Sequence, residues 1–161
     1  MKTDIPTKPF MRFPKVVLMI GLMLGLLAGC QVGPEPIAYG SDACHFCRMT
    51  IVDKTHAAQM VTRKGKQYKY DAIECLVQHL PEWERESIAH LKVADFGAPG
   101  AMVDAETATY LISPGIRSPM GANLSAFGDP STAEAARDEH SGDLLGWVDL
   151  QGRLKADFSL E

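Results

Sequence analysis

The N-terminal segment sets the limit on what this chain can fold into, because it has the pattern of an export signal. Residues 16–27 form an apolar run. The run is shorter than the about 20 apolar residues that span a membrane comfortably. It follows a basic head that carries Lys2, Lys8, Arg12 and Lys15. A basic head and a short apolar stretch indicate a cleaved leader over residues 1–29, so the domain is expected to lie in the residues that follow.

The leader ends in Leu27-Ala28-Gly29-Cys30, which resembles the bacterial lipobox. We therefore expect a diacylglyceryl group on the sulfur of Cys30 and a position in the cell envelope. The alternative is an uncleaved membrane anchor in which Cys30 has no role. Gln31 is not the aspartate that is associated with inner-membrane retention, so in a Gram-negative host we expect the periplasmic face of the outer membrane.

Removal of the leader makes the remaining chain more acidic. The full chain has 16 basic and 20 acidic residues, and residues 1–29 hold four of the basic and one of the acidic residues, which leaves 12 against 19, a net charge of −7. Such a surface repels polyanions, so nucleic-acid binding is not expected.

Three thiols remain if Cys30 is lipidated: Cys44, Cys47 and Cys75. An odd number in an exported protein does not fit a simple disulfide framework. At least one thiol is therefore expected to be reactive or to bind metal.

The rest of the chain predicts a tether and two related small units. Proline and glycine in residues 30–43 indicate a tether, and the thirteen residues 31–43 can extend about 45 Å. The domain is expected over 44–161, as an α+β fold of two packed ββαβ units with mostly antiparallel strands. The units are placed at about 57–96 and 108–150. The predicted elements are strands at 57–63, 67–70 and 91–95, a helix at 72–80 capped by Asp71, strands at 109–112, 123–127 and 145–149, and a helix from Asp129-Pro130 to His140.

The sequence Cys44-His45-Phe46-Cys47-Arg48-Met49 carries the main chemical signal. Two thiols three positions apart can face one site, and Met49 adds a thioether. Soft thiolate and thioether donors select Cu(I) over hard cations, whereas zinc prefers four donors, usually Cys and His. A redox pair, a structural disulfide and a packing role for Met49 are the alternatives. His45 is a reserve donor.

Two further places contribute candidate donors. Met120 lies between Pro119 and Gly121 in a loop, where it can bind copper, contact a partner or plug the loop. Cys75 and His79 lie one helical turn apart and are reserve metal donors. Either Cys75 is accessible and binds or relays metal, or it is a small buried residue. We find no pattern typical of an enzyme, and none is expected.

Taken together, these motifs resemble the NosL family, copper-binding lipoproteins that assist maturation of nitrous oxide reductase. The resemblance rests on Cys30, on the motif from Cys44 to Ile51, on Tyr70-Asp71-x-Ile73-Glu74-Cys75-Leu76, and on Ser118-Pro119-Met120-Gly121 with Phe127. It implies two ββαβ units and Cu(I) binding by Cys44, Cys47, Met49 and Met120. It also implies delivery of Cu(I) to nitrous oxide reductase with an ABC-type maturation complex.

The residues leave a second function open. Cys44 and Cys47 also suit an envelope thiol–disulfide oxidoreductase, which has no need of Met49. A non-catalytic adaptor with purely structural sulfur is a further alternative.

Overall fold

The structure, a computed structural model, describes residues 32–158 of the chain. The predicted leader and Cys30 lie outside the described residues, so the lipid anchor stays a prediction. Within the described part, no helix is both long enough and apolar enough to cross a membrane.

The first unit is a four-stranded antiparallel sheet with one helix. Its strand order is β2-β1-β3-β4. Gly65, with a φ of +83°, provides the left-handed residue in the turn between the first two strands. Two short 3₁₀ turns, Leu80–Glu82 and Arg85–Ser87, follow the helix. The elements are β1 (Ala58–Thr62), β2 (Gln67–Tyr70), α1 (Ile73–His79), β3 (Ile88–Ala94) and β4 (Met102–Asp104).

The second unit repeats this order with three antiparallel strands, arranged β6-β5-β7. Its helix begins as predicted, because the Asp129 carboxylate accepts a hydrogen bond from the Ser131 N–H at 2.9 Å. The elements are β5 (Thr109–Ile112), β6 (Leu124–Phe127), α2 (Pro130–His140) and β7 (Asp143–Leu145). The predicted α+β class with two ββαβ units is confirmed.

Tyr70 and Phe127 are equivalent positions in the two units. Tyr70 ends β2 and pairs with Ala58 at the start of β1. Phe127 ends β6 and pairs with Thr109 at the start of β5. Both aromatic side chains are fully buried, so a large aromatic residue fills the equivalent place in each unit.

The larger apolar core contains residues of both sheets and of α1, and a smaller cluster around Leu111 and Phe127 lies in the second unit. A parallel bridge joins Asp95 to Ala126, and the Phe96 N–H donates to the Ala126 carbonyl at 2.8 Å. Helix α1 packs against β1 and β2 on one side and against β6 on the other. It is therefore enclosed by both units.

The predicted strand at 145–149 is wrong beyond Leu145. A helix, α3 (Trp147–Phe158), begins two residues later. Its buried residues have helical spacing, whereas Val148 is 77% exposed. Five residues are too few to show the period, but the apolar stripe continues beyond them with period 3.6. The buried stripe consists of Trp147, Leu150 and Leu154.

Asp71 does not cap α1, which corrects a second prediction. The N-cap residue is Ala72, and no side chain accepts a hydrogen bond there. Asp71 is only 2% exposed, and its Oδ1 atom has no hydrogen-bond partner. The carboxyl group is therefore turned into the interior, and the Asp71 backbone amide faces Cys44.

Residues 32–42, which we name the strap, are fastened to the first sheet. His90 Nε2 lies 2.9 Å from the Val32 carbonyl oxygen, and Gln67 Nε2 donates to the Gly33 carbonyl at 3.0 Å. Lys69 Nζ donates to the Pro36 carbonyl at 2.8 Å. The segment predicted as a tether is therefore held against the domain along this length.

Candidate metal centre

Residues 43–50 form a closed loop that carries most of the predicted sulfur donors. The Cys44 N–H donates to the Met49 carbonyl at 2.7 Å, and the Arg48 N–H donates to the Cys44 carbonyl at 3.1 Å. Arg48 has a φ of +68°, a left-handed conformation that costs a residue with a Cβ roughly 1–2 kcal/mol. This conformation reverses the chain, so Cys44 and Met49 lie on one compact loop. An antiparallel bridge between Ala43 and Thr50 closes it.

The third thiol comes from helix α1. The Sγ atoms of Cys44, Cys47 and Cys75 all lie within 4.8 Å of one another, and all three cysteines are free. Cys44 and Cys75 are fully buried, whereas Cys47 is partly exposed. We name these three the thiol cluster. The hypothesis that Cys75 is accessible is therefore wrong, and its burial, the alternative, is confirmed.

Hydrogen bonds within the thiol cluster favour one thiolate. The pKa of Cys44 is lowered to about 4, chiefly because Cys75 donates a hydrogen bond to it, and also because the Asp71 and Cys47 amides face it. The Cys47 N–H lies 3.5 Å from Cys44 Sγ. The pKa of Cys75 is raised by its hydrogen bond to Cys44 and by burial, and burial raises the pKa of Cys47. Cys44 is therefore the thiolate at neutral pH.

This ionisation predicts a pH-dependent stability of the reduced protein. An unfolded Cys44 keeps its proton up to its ordinary pKa of 9.0, whereas the folded protein releases it at about 4. The unfolded state thus binds more protons between these values, and the Cys44 contribution grows as pH rises from about 4 to 9 and is lost as pH falls through about 4. Urea unfolding of the parent and Cys44→Ser proteins at several pH values should show their stability difference widening over this range. A constant difference would contradict the prediction.

The reserve donor His79 has both ring nitrogens engaged. Its Nε2 accepts a hydrogen bond from Trp83 Nε1 at 3.2 Å, and its Nδ1 lies 2.6 Å from the Tyr70 hydroxyl. This arrangement fits a neutral ring that donates from Nδ1. His79 would have to give up one of these bonds to bind metal. Its contacts with Tyr70 and Trp83 instead hold the aromatic side chains beside the thiol cluster in place.

The reserve donor His45 lies in the loop of residues 43–50 and is half-buried. Its ring lies 4.6 Å from the Tyr68 ring and 4.9 Å from the His79 ring, centroid to centroid. Burial and then the neighbouring His79 lower the pKa of His45, which favours the neutral ring. Its backbone N–H donates to the Lys69 carbonyl at 2.8 Å and fastens the loop to β2.

Among the described methionines, two are exposed, Met60 is fully buried and Met102 is partly buried. Met49 is 47% exposed and Met120 is 37% exposed, and both lie on loops. Met60 is fully buried in β1, as expected for a packing residue. The two predicted thioether donors are therefore open to solvent, in contrast to most of the thiol cluster.

One buried polar arrangement was missed in the sequence. His56 Nδ1 lies 2.8 Å from Asp53 Oδ2, and His56 Nε2 lies 3.2 Å from Ser125 Oγ. This is the residue order of a hydrolase triad, but Ser125 is fully buried within β6. Its hydroxyl cannot meet a substrate there, and the contact ties the first unit to the second.

The fold and the site together define a class, that of small proteins of two ββαβ units with a soft-sulfur site suited to a thiophilic metal ion. The family model of NosL matches residues 37–154. Because this match covers most of the chain, the chain belongs to the NosL family.

Two known proteins support this assignment. The copper-binding lipoprotein NosL of Stutzerimonas stutzeri is 30% identical over 153 residues, which cover 86% of this chain and 80% of that protein. The crystal structure of the copper chaperone NosL from Shewanella denitrificans has a TM-score of 0.63, with 20% identity over 73% of this chain and 94% of that chain. The latter likeness shows the shared fold.

Proposed function

We propose that this protein is a copper chaperone that carries Cu(I) on the sulfur atoms of Cys44, Cys47, Met49 and Met120. The observation that carries the proposal is the convergence of free thiols within 4.8 Å beside a methionine-bearing loop. Soft donors of this kind hold Cu(I) and discriminate against hard cations. The names of the relatives, a copper-binding lipoprotein and a copper chaperone, point the same way.

The gradient of exposure suits transfer of the ion rather than permanent storage. Cys44 is fully buried, Cys47 is partly exposed and Met49 is 47% exposed. Cu(I) has a filled d shell and accepts two or three sulfur donors. An incoming donor from an acceptor protein can therefore replace the outer thioether before the inner thiolates release the ion.

The proposed recipient is nitrous oxide reductase, served together with an ABC-type maturation complex. This part of the proposal rests on the sequence motifs shared with the NosL family. The proposed location is the cell envelope, with a lipid on Cys30 and, in a Gram-negative host, the periplasmic face of the outer membrane. Membership of a family with a named lipoprotein supports the envelope location.

The proposal is tested by titrating the full, reduced protein in detergent with Cu(I) against a competing chelator. We expect one ion to be retained per chain and then to pass to copper-free nitrous oxide reductase. Failure to retain Cu(I) against a weak chelator would refute the copper proposal, and retention without transfer would refute the recipient. Repeated turnover of disulfide substrates without copper binding would favour the oxidoreductase alternative.

Replacement of Met49 by leucine is expected to weaken Cu(I) binding at least about tenfold, comparable to the loss of a supporting group at a metal site. Leucine keeps the apolar volume but removes the thioether. Met60→Leu is the matched control, because Met60 is fully buried in β1 and should leave the affinity unchanged. Equal affinity of Met49→Leu and the parent protein would remove Met49 from the ligand set.

A further inference from the structure

Met120 stands at the tip of a tight turn. The Gly121 N–H donates to the Ser118 carbonyl at 3.1 Å, which closes a four-residue turn with Pro119 in its second position. Met120 is not among the described residues with positive φ, whereas Gly121 has a φ of +86°. This pattern is typical of a type I turn with proline at its favoured position, and it presents Met120 outward.

A single buried carboxyl group holds this turn. Ser118 Oγ donates a hydrogen bond to Glu74 Oε1, and the Ala122 backbone amide also faces the Glu74 carboxyl group. Glu74 is fully buried and Ser118 is 8% exposed. The Glu74 carboxyl group thus contacts Ser118, two residues before Met120, and faces the amide of Ala122, two residues after it. We name this contact of Glu74 with Ser118 and Ala122 the clasp.

The clasp also joins two parts of the site that are far apart in sequence. Glu74 directly precedes Cys75 on α1, and Ser118 is 44 residues away, in the second unit. The thiol cluster is formed by the loop of residues 43–50 and helix α1 of the first unit, whereas Met120 lies in a loop of the second unit. A carboxyl group in the interior costs stability unless its partners compensate, yet Glu74 Oε2 has no hydrogen-bond partner. An apolar residue would pack here at lower cost if the position served packing alone.

From this geometry we infer that Glu74 is a positioning residue, which holds the Met120 turn against the helix of the thiol cluster so that the thioether can join the bound ion. The inference rests on the proposed copper function and adds a residue to it. Glu74 does not touch the ion; it acts through Ser118 and the backbone at Ala122. Loss of the clasp should therefore remove the benefit of Met120 and leave the donors of the first unit intact.

The test is a double-mutant cycle on Cu(I) affinity in the full, reduced protein. Glu74→Ala and Ser118→Ala are each expected to weaken Cu(I) binding, with a coupling to Met120 on the order of tenfold. Neither should weaken it further once Met120→Leu is present. Ser118→Ala keeps the carboxyl group and can be measured even if Glu74→Ala does not fold. Glu74→Gln keeps the Oε1 acceptor and should retain most of the affinity of the parent protein.

A second measurement separates the clasp from copper binding itself. In the metal-free protein with ¹³C-methyl-labelled methionine, Ser118→Ala should change the NMR signal and mobility of the Met120 methyl group and leave the Met60 signal unchanged. An unchanged Met120 signal would overturn the clasp whether or not the protein binds copper. An equal loss of affinity in the Met120→Leu background, or no effect of Met120→Leu on affinity, would also overturn the inference while copper binding by the parent protein stands.

Discussion

Cys44→Ser is expected to lower Cu(I) affinity by at least about 100-fold, at or beyond the upper end of the loss caused by removing a supporting group at a metal site. Cys44 is the thiolate of the cluster, and its pKa of about 4 keeps it ionised at neutral pH. A serine hydroxyl stays protonated in this range and is a hard donor, which Cu(I) disfavours. The affinity should be measured by chelator competition under reductant.

Two controls show whether this loss is local. Thermal unfolding of the metal-free variant should show a folded but less stable protein, since serine has nearly the size of cysteine but does not supply the thiolate. Phe46→Ala provides the matched loop change and should leave the affinity unchanged, because Phe46 lies in the same loop, is 38% exposed and carries no metal donor. A Cys44→Ser protein that holds Cu(I) as tightly as the parent would exclude Cys44 from the site.

Mild oxidation should abolish copper binding in a reversible manner. The three Sγ atoms lie within 4.8 Å of one another, so a small shift can bring two of them to bonding distance. Diamide would take two electrons and two protons from two thiols and become a hydrazine, leaving one disulfide and one free thiol in the cluster. Because any disulfide in the cluster removes at least one of the proposed donors Cys44 and Cys47, we expect an affinity loss of at least about 100-fold, and full recovery after reduction.

Cysteine variants identify the pair that closes. In Cys75→Ala, only Cys44 and Cys47 remain in the cluster, and oxidation should still abolish binding if they form the bond. Alkylation and mass spectrometry of the oxidised parent protein would report the remaining free thiol. Undiminished Cu(I) affinity of the fully oxidised protein would contradict a thiolate site.

The sequence predicted the first two strands well because local signals agreed with their surroundings, whereas β4 was not predicted and β3 begins three residues before its predicted start. The turn at Gly65 and the alternation in 67–70 predicted β1 and β2 nearly to the residue. The Asp129-Pro130 start likewise predicted α2. At 145–149, by contrast, the apolar residues were assigned to a strand, but the buried stripe continues to Leu154 with helical spacing, and the prediction failed beyond Leu145.

The sequence predicted the local part of the site but not the contacts that depend on packing. Cys44, Cys47 and Met49 are local and carry their own motif, but the environment of Cys75 depends on packing. A helical wheel assumes one buried face, whereas α1 is buried on nearly every side because both units cover it. The contact of Glu74 with Ser118 spans 44 residues, and no spacing rule predicts such a pair.

The strap limits the length of chain that is available between the domain and a lipid on Cys30. Its first fastened group is the Val32 carbonyl beside His90, and only Gln31 separates Val32 from Cys30 in the chain. With a lipid on Cys30, the two residues between the lipid and Val32 could span at most about 7 Å, against about 45 Å for a fully extended segment 31–43. The covalent length of the chain would then keep the strap close to the lipid anchor.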